Sequence, residues 1–279
     1  MQHFMVDAPD ISTAWLRAAS RLADLPDKRA YHTVVRITDP RSEDPRVRSE
    51  LERLRAARKG SPLYPLETVV NTLFPTALAA VSKDHDDLVR RYRALYSRLR
   101  KAARRNIHGT YFGRLVCYPG KDSTGTPVDQ LGLLIDRLRR YSGSAQWNGL
   151  YEAGTAHIDD ASHSPAADDA HLADLPIRVA GSDTQTLDFP CLSHVSFQLE
   201  SRTRTVHTLA YYRSHYMFDR AYGNYLALGR LNAWVAQQAG LTPGSLTVVA
   251  GVARLDCPAD QVSLLQHAAQ KDAMFDLAN

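Results

Sequence analysis

The C-terminal half of this 279-residue chain constrains the fold more than any other part. Residues 195–199 and 206–211 alternate apolar and polar side chains, which indicates two half-buried strands joined by a short polar turn. Residues 222–239 then have the pattern of a long apolar helix, and Gly240 follows where a helix C-terminus favours glycine. Residues 246–252 are a continuous apolar strand. Two strands, a helix and a third strand indicate a mixed α+β fold.

The rest of the chain is predicted to be mostly helical. Hydrophobic periodicity predicts further helices over 11–24, 65–80, 88–105, 128–138 and 263–275. Residues 31–37 have the pattern of a strand, which ends before the Asp39-Pro40 pair. The remaining segments are expected to be a solvated helix or loop at 41–60, a glycine-punctuated turn into a strand at 108–114, a loop or insertion at 155–174 and a turn at 243–244.

Composition is typical of a globular protein that stays in the cytoplasm. Lys and Arg number 34 against 30 Asp and Glu, and this small excess favours anionic small ligands without indicating nucleic acid. The longest apolar runs fall short of the roughly 20 residues that a membrane helix needs, and the N-terminus lacks a signal-peptide pattern. Cys117, Cys191 and Cys257 are odd in number and widely spaced, so we expect reduced thiols and no zinc motif.

The sequence does not match the common nucleotide-binding and metal-binding motifs. Gly120-Lys121 resembles the end of a phosphate loop, but the preceding glycine is too distant and an Asp follows the Lys. His85-Asp86 is better interpreted as an acidic helix start than as a metal site, so no metal is expected. The basic helix at 88–105 favours a solvated surface, with phosphate or nucleic-acid contact as the alternative.

One ordered set of motifs does point to a chemistry. Pro190-Cys191 precedes the strand pair, Arg213-Ser214 ends it, Asn224 lies eleven residues after that arginine, and a Leu-Thr-Pro-Gly turn occupies 241–244. This order resembles thymidylate synthase, in which a Pro-Cys nucleophile, an Arg-Ser strand end, an Asn and a Gly-Leu-x-Pro-Gly turn follow one another. The likeness extends upstream to Phe112-Gly113, to 128–131 and to Glu67, and covers about residues 60–265.

The resemblance implies a role for each of these residues. Cys191 would add as a thiolate to C6 of a pyrimidine ring, which makes C5 nucleophilic toward a one-carbon unit. Arg213 would favour that thiolate and bind nucleotide phosphate together with Ser214. Asn224 has a donor and an acceptor that suit O4 and N3–H of uracil, and Glu67 would organise proton transfers. Arg213 pairing with an acid, or Asn224 capping a helix, are the structural alternatives.

The residues that differ from the family's motifs lie at positions where the family contacts folate or the sugar. Leu192 stands where a His normally follows the nucleophile, and Tyr216 replaces an Asp that contacts folate. Arg254 and Asp256 replace the family's sugar-binding strand end and could hold a sugar or second phosphate. Arg178 is the candidate for a phosphate arginine upstream of the nucleophile. No counterpart of the C-terminal segment that closes over folate follows the last predicted helix.

Three hypotheses follow from this pattern. The first is one-carbon (methyl or hydroxymethyl) transfer from methylenetetrahydrofolate to C5 of a uracil-type nucleotide. The second is a folate-independent, Cys191-initiated reaction on a pyrimidine nucleotide, such as exchange, C5 substitution, or glycosidic-bond or ring chemistry. The third is a non-catalytic nucleotide-binding homologue. For all three the resemblance implies one domain over 1–279, with a twisted mixed sheet flanked by helices, a divergent region at 1–60, an insertion near 150–180, and homodimerisation through the sheet.

Overall fold

The computed structural model describes residues 2–58, 63–102, 110–118, 127–142, 151–155 and 191–270. Six strands are present in this part of the chain: β1 Met5–Ala8, β2 Arg29–Ile37, β3 Glu152–Gly154, β4 Leu192–Glu200, β5 Thr205–Tyr216 and β6 Thr242–Arg254. The helices are α1 Ile11–Ala23, α2 Pro45–Ala56, α3 Leu66–Leu73, α4 Thr76–Ala80, α5 His85–Ala102, α6 Tyr111–Val116, α7 Gln130–Tyr141, α8 Tyr222–Ala239 and α9 Ala259–Gln270. A π-helix, Met217–Ala221, joins β5 to α8.

The strands form one mixed sheet in the order β1-β2-β6-β5-β4-β3. The pairs β1/β2 and β5/β6 are parallel, and the other neighbours are antiparallel. Helices α1 and α8 pack on strands of this sheet, and α3 and α7 pack on α8 in turn. The predicted mixed α+β class is therefore confirmed, with helices around a sheet.

Helix α8 is the central helix of the fold. Most of its side chains are buried, because it lies between the sheet and the helices α1, α3 and α7. Its predicted bounds are confirmed, and Gly240 ends it in the left-handed conformation at φ +70°. A Cβ on Gly229 would lie 1.9 Å from the carbonyl oxygen of Pro40, so this helix and the segment after β2 approach closely.

Side chains alternate between two faces of the sheet, and the buried core formed by the described residues covers one of these faces. On the covered face lie residues such as Val35, Val248 and Ala210. The opposite face, called the outer face below, is built around Val34, Val249 and Tyr211, which are direct neighbours across β2, β6 and β5. None of these three residues belongs to the buried core. Leu209 and Tyr31 on the same face are more than one third exposed.

Several local predictions were wrong, each for a physical reason. The segment at 108–114 was expected to enter a strand, whereas Tyr111–Val116 is a helix that begins because the Thr110 hydroxyl accepts a hydrogen bond from the Gly113 N–H at 2.8 Å. The predicted 65–80 helix is two helices, since Phe74 precedes a proline and is extended. The turn predicted at 243–244 lies within β6.

Other predictions extend beyond the described residues. The predicted last helix corresponds to α9, Ala259–Gln270, and residues 271–275 of that prediction lie outside the described part of the chain. The same holds for residues 156–174 of the predicted loop and for most of the predicted insertion near 150–180. Strands β1 and β3 were not predicted, because four and three residues are too few to show a period of two.

Candidate active site

Cys191 and Arg213 are neighbours across two strands, although 22 positions separate them in the sequence. Cys191 lies directly before β4, and the Arg213 backbone N–H donates to the Cys191 carbonyl oxygen at 2.8 Å. The next residues of the two strands, Leu192 and Tyr212, pair in the antiparallel ladder. The sheet register therefore brings together the two residues on which the predicted thiol chemistry depends.

The Cys191 thiol experiences two opposing influences. Burial raises its pKa above the ordinary value, and the guanidinium groups of Arg213 and Arg220 lower it in part. Because burial is the larger influence, the neutral thiol is favoured at neutral pH in the free protein. Tyr111 and Tyr212 border the same thiol, and the Tyr111 hydroxyl accepts from the Leu192 N–H at 3.4 Å. Attack by this sulfur would therefore require loss of its proton when a substrate binds.

Arg220 was missed by the sequence analysis. It belongs to the π-helix, is buried, and forms an ion pair with Asp219 at 3.1 Å. Its guanidinium lies 6.0 Å from the centre of the Tyr64 ring. The signal that could have revealed it is a charged Asp-Arg pair directly before an apolar helix. With Arg213, it supplies a second positive charge near the Cys191 sulfur.

The π-helix is held in place by three residues distant in sequence. Trp15 Nε1 donates to the Met217 carbonyl at 2.7 Å, and Arg55 Nη1 donates to the Asp219 carbonyl at 2.9 Å. The carboxylate of Asp256 accepts from the Phe218 N–H at 2.7 Å and from the Asp219 N–H at 3.1 Å. π-helical turns inside or beside α-helices are frequent at functional sites. Here the turn positions Arg220 and leads directly into the helix that bears Asn224.

Asn224 occupies the first turn of α8 and is 2% exposed. Its Nδ2 lies 3.2 Å from His215 Nε2. Its Oδ1 is buried and has no hydrogen-bond partner within the described residues. The alternative in which Asn224 caps the helix is wrong, because Ala221 is the N-cap residue and no side chain caps this end. The amide is therefore available to a ligand.

Ser214 and Arg213 occupy the end of β5 that lies near the π-helix. Ser214 is half-buried and pairs with Val252 in the parallel ladder with β6. The Arg213 side chain is exposed. Arg178, the third residue predicted to bind phosphate, lies outside the described residues.

Glu67 does not have the surroundings that a proton-transfer group needs. Arg48 Nη2 lies 2.6 Å from its Oε1, and the two terminal nitrogens of Arg230 donate to its two carboxylate oxygens at 2.9 Å. The hydrogen bond from Arg230 is the largest of the effects that lower the pKa of Glu67, which falls to about 2. A carboxylate held in this way stays ionised at neutral pH, so the geometry suits an ion pair that joins α2, α3 and α8.

Arg254 and Asp256 are also placed differently from the sugar-binding prediction. Both carboxylate oxygens of Asp256 accept backbone hydrogen bonds from the π-helix, and burial is the main cause that raises its pKa. The Arg254 guanidinium lies 5.9 Å from the centre of the Tyr216 ring, and its Nε is buried without a partner among the described residues. This geometry favours an anchoring role for Asp256 over contact with a sugar.

Substitution of Asp256 separates these two roles. Asp256→Ala leaves two backbone N–H groups of the π-helix without their acceptors, so we expect a loss of about 2 kcal/mol in the free energy of unfolding. Asp256→Asn retains one carbonyl oxygen and should lose about half as much. Urea unfolding measures both variants. Unchanged stability with weakened nucleotide binding would instead support the sugar-contact prediction.

Comparisons with known proteins supply no family for this chain. Neither a scan against protein-family models nor a search of curated proteins returns a match. Among the described residues, no group of three or more His, Cys, Asp or Glu side chains is arranged to hold a metal ion. In the same part of the chain, no helix is both long enough and apolar enough to cross a membrane.

Proposed function

We propose that this protein is a divergent enzyme of the thymidylate synthase type that modifies C5 of a uracil-type pyrimidine nucleotide. The reaction begins with addition of Cys191 to C6 and proceeds by one-carbon transfer from methylenetetrahydrofolate. The observation that carries this proposal is the sheet register, which sets Cys191 beside Arg213. The buried and unpartnered Oδ1 of Asn224 on the helix that follows β5 is the second support.

The chemistry assigns a separate task to each of these residues. Cys191 loses its proton as the S–C6 bond forms, and the C5–C6 π electrons move to C5 as an enolate. Methylenetetrahydrofolate would supply the carbon that bonds to C5, with loss of that carbon's bond to the folate nitrogen, and would also supply the hydride for a methyl product, whereas water would complete a hydroxymethyl product. The ring would be restored when the C5 proton leaves and the S–C6 bond breaks. Arg213, Ser214 and Arg220 provide positive charge and hydrogen-bond donors for the phosphate and for the developing anion. Asn224 binds the edge of the ring.

The identity of the one-carbon donor rests on fewer observations than the addition of Cys191 to the ring. In the resembled family an aspartate contacts folate at the position of Tyr216, and the ring of Tyr216 lies near the Arg254 guanidinium instead. This favours, as a second candidate, a folate-independent reaction initiated by Cys191 on a pyrimidine nucleotide. The raised pKa of the Cys191 thiol favours a third candidate, a non-catalytic nucleotide-binding protein. All three candidates use the same nucleotide site.

A 5-fluoropyrimidine nucleotide distinguishes the three candidates. Its C5 carries fluorine, which does not leave as a proton does, so once C5 has bonded to a carbon electrophile the S–C6 bond cannot be released by elimination and the adduct is stable. We expect intact mass spectrometry to detect an adduct with 5-fluoro-dUMP or 5-fluoro-UMP that grows when methylenetetrahydrofolate is present. An adduct that is indifferent to folate supports the second candidate. Nucleotide binding without any adduct supports the third, and absence of binding refutes the proposal.

The outer face of the sheet supports homodimerisation as part of this proposal. Val34, Val249 and Tyr211 form an apolar row across three strands that lies outside the buried core of the described residues. Leu209 and Tyr31 extend the row with large exposed side chains. Exposed apolar patches of this kind mark protein interfaces, and a two-fold pairing covers the same patch on both copies.

Three unpaired cysteines fit a reducing compartment, so we place the dimer in the cytoplasm.

A charge at the centre of the outer face should dissociate this dimer. Val249→Asp introduces two buried carboxylates per dimer, so we expect at least a ten-fold weaker association in sedimentation equilibrium. Val81→Asp is the matched control, because Val81 is 63% exposed at the end of α4 and does not belong to the sheet, and it should leave association unchanged. A wild-type protein that is monomeric at tens of micromolar would contradict the dimer.

A further inference from the structure

His215 is a neighbour of Asn224 that is itself held by two aromatic rings. It follows Arg213 by two residues on β5 and is 2% exposed. Its ring is stacked on Tyr212, with centroids 4.4 Å apart and planes at 13°, and Tyr225 meets it edge-on at 5.6 Å. Contacts on a face and at an edge prevent rotation of the imidazole. Nε2 is therefore held in one place, 3.2 Å from the Asn224 amide.

The chemistry of this contact determines which ring nitrogen carries the proton. Burial lowers the pKa of His215 to about 3, so the ring is neutral at physiological pH. In a neutral imidazole one nitrogen donates and the other accepts. The Asn224 Nδ2 is a donor only, so Nε2 accepts from it and the proton lies on Nδ1.

The same contact orients the two ends of the Asn224 amide. With Nδ2 turned to His215, Oδ1 points elsewhere, is buried, and lacks a partner among the described residues. A buried acceptor without a donor is unfavourable, and a ligand that supplies an N–H group satisfies it. The reversed amide would require the ring proton on Nε2 instead of Nδ1. The site is therefore prepared for a donor on the ligand.

We propose that His215 is a specificity-determining residue that locks Asn224 with its carbonyl oxygen toward the ligand, so that the site selects a uracil-type ring over a cytosine-type ring. This inference rests on the proposed function, in which a pyrimidine nucleotide binds here. N3 of uracil carries a hydrogen that Oδ1 accepts, whereas N3 of cytosine has a lone pair that Oδ1 repels. Binding of cytosine would need the amide to turn over and the His215 proton to move to Nε2.

Binding of matched nucleotides to His215 variants tests the proposal. We expect wild-type protein to prefer UMP or dUMP over CMP or dCMP by about ten-fold or more in calorimetric titration. His215→Phe keeps a ring on Tyr212 and removes the acceptor, so the preference should fall to within about two-fold. His215→Gln returns an acceptor oxygen and should restore part of the preference. His207→Phe, a histidine of the same strand that contacts Ser245 instead, should leave it unchanged.

Two outcomes would overturn this proposal while the proposed function stands. One is a uracil preference that is the same in His215→Phe and in wild-type protein. The other is a wild-type ring protonated on Nε2, read from the ¹⁵N chemical shifts of His215 in the free protein, which needs no variant to fold. A wild-type protein that binds no pyrimidine nucleotide refutes the proposed function and this selectivity with it. The ¹⁵N shifts then still report whether His215 holds the amide.

Discussion

Replacing Cys191 with alanine should abolish the covalent adduct with a 5-fluorouracil nucleotide and lower turnover by at least about a thousand-fold. The reason is that the S–C6 bond is the only source of nucleophilicity at C5 in the proposed reaction. Nucleotide affinity should change by less than about five-fold, because Arg213, Ser214 and Asn224 remain. Mass spectrometry, steady-state turnover and calorimetry measure the three quantities on the same preparations.

Cys117→Ala is the matched control for this substitution. Cys117 is also half-buried, burial also raises its pKa, and Arg93 lowers that pKa as Arg213 does for Cys191. The control should keep both adduct and turnover. An adduct that persists in Cys191→Ala would contradict the proposed nucleophile. If both variants lose the adduct, a disturbed fold explains the loss.

The same thiol should show a characteristic dependence on pH in the free protein. Because burial raises the Cys191 pKa above its ordinary value, the thiolate fraction is small at pH 7 and grows as pH rises. Alkylation of Cys191 by iodoacetamide should therefore be slower at pH 7 than that of an unhindered thiol and should accelerate as the pH is raised. Peptide mapping assigns the alkylated residue. Rapid alkylation at pH 7 would show that the two arginines outweigh burial.

Gly229→Ala should be among the most destabilising single substitutions in this chain. The new Cβ would lie 1.9 Å from the Pro40 carbonyl oxygen and 2.9 Å from its carbonyl carbon, and these are backbone atoms that cannot move aside alone. We expect a loss of about 3 kcal/mol or more in the free energy of unfolding, or no folded protein. Urea denaturation followed by circular dichroism measures the loss.

Gly240→Asn controls for the general effect of replacing a glycine of α8 or its C-cap. A Cβ at Gly240 would meet no heavy atom within 4 Å, and asparagine tolerates its left-handed conformation better than other residues. The expected cost is about 1 kcal/mol or less. A Gly229→Ala variant as stable as Gly240→Asn would show that α8 does not approach the segment after β2 so closely.

The sequence predicted those helices and strands whose characteristic pattern of apolar, polar and capping residues lies within the element itself. The bounds of α8 followed from an apolar run that ends at Gly240, and the alternation at 195–199 and 206–211 predicted the central parts of β4 and β5, which are longer at both ends. Helix α7 begins near the start of the helix predicted over 128–138, and the carboxylate of Asp129 accepts from the Gly132 N–H. In contrast, α6 was missed because its glycine and aromatic residues resemble a turn, and the capping contact of Thr110 was not recognised.

The residues of the candidate site also fall into those that the sequence predicted and those that it did not. The order of Cys191, Arg213 and Asn224 could be recognised from spacing, because strand, turn and helix lengths are local properties. Arg220 and His215 could not be recognised, since their importance depends on what they face across the fold. Glu67 and Asp256 carried plausible catalytic and sugar-binding predictions, but their partners are two arginines from other helices in one case and the π-helix backbone in the other.

The amino-acid sequence by itself determined the mixed α+β class, the central helix and the order of the groups that carry the proposed chemistry. These features depend on hydrophobic period, chain spacing and a residue such as Gly240 that permits one conformation. Only the tertiary structure decided the surroundings of each group: a half-buried thiol near two arginines, an ionised Glu67, and an Asn224 amide in contact with His215. Protonation and orientation depend on burial and on contacts between residues far apart in the chain, which no local pattern records.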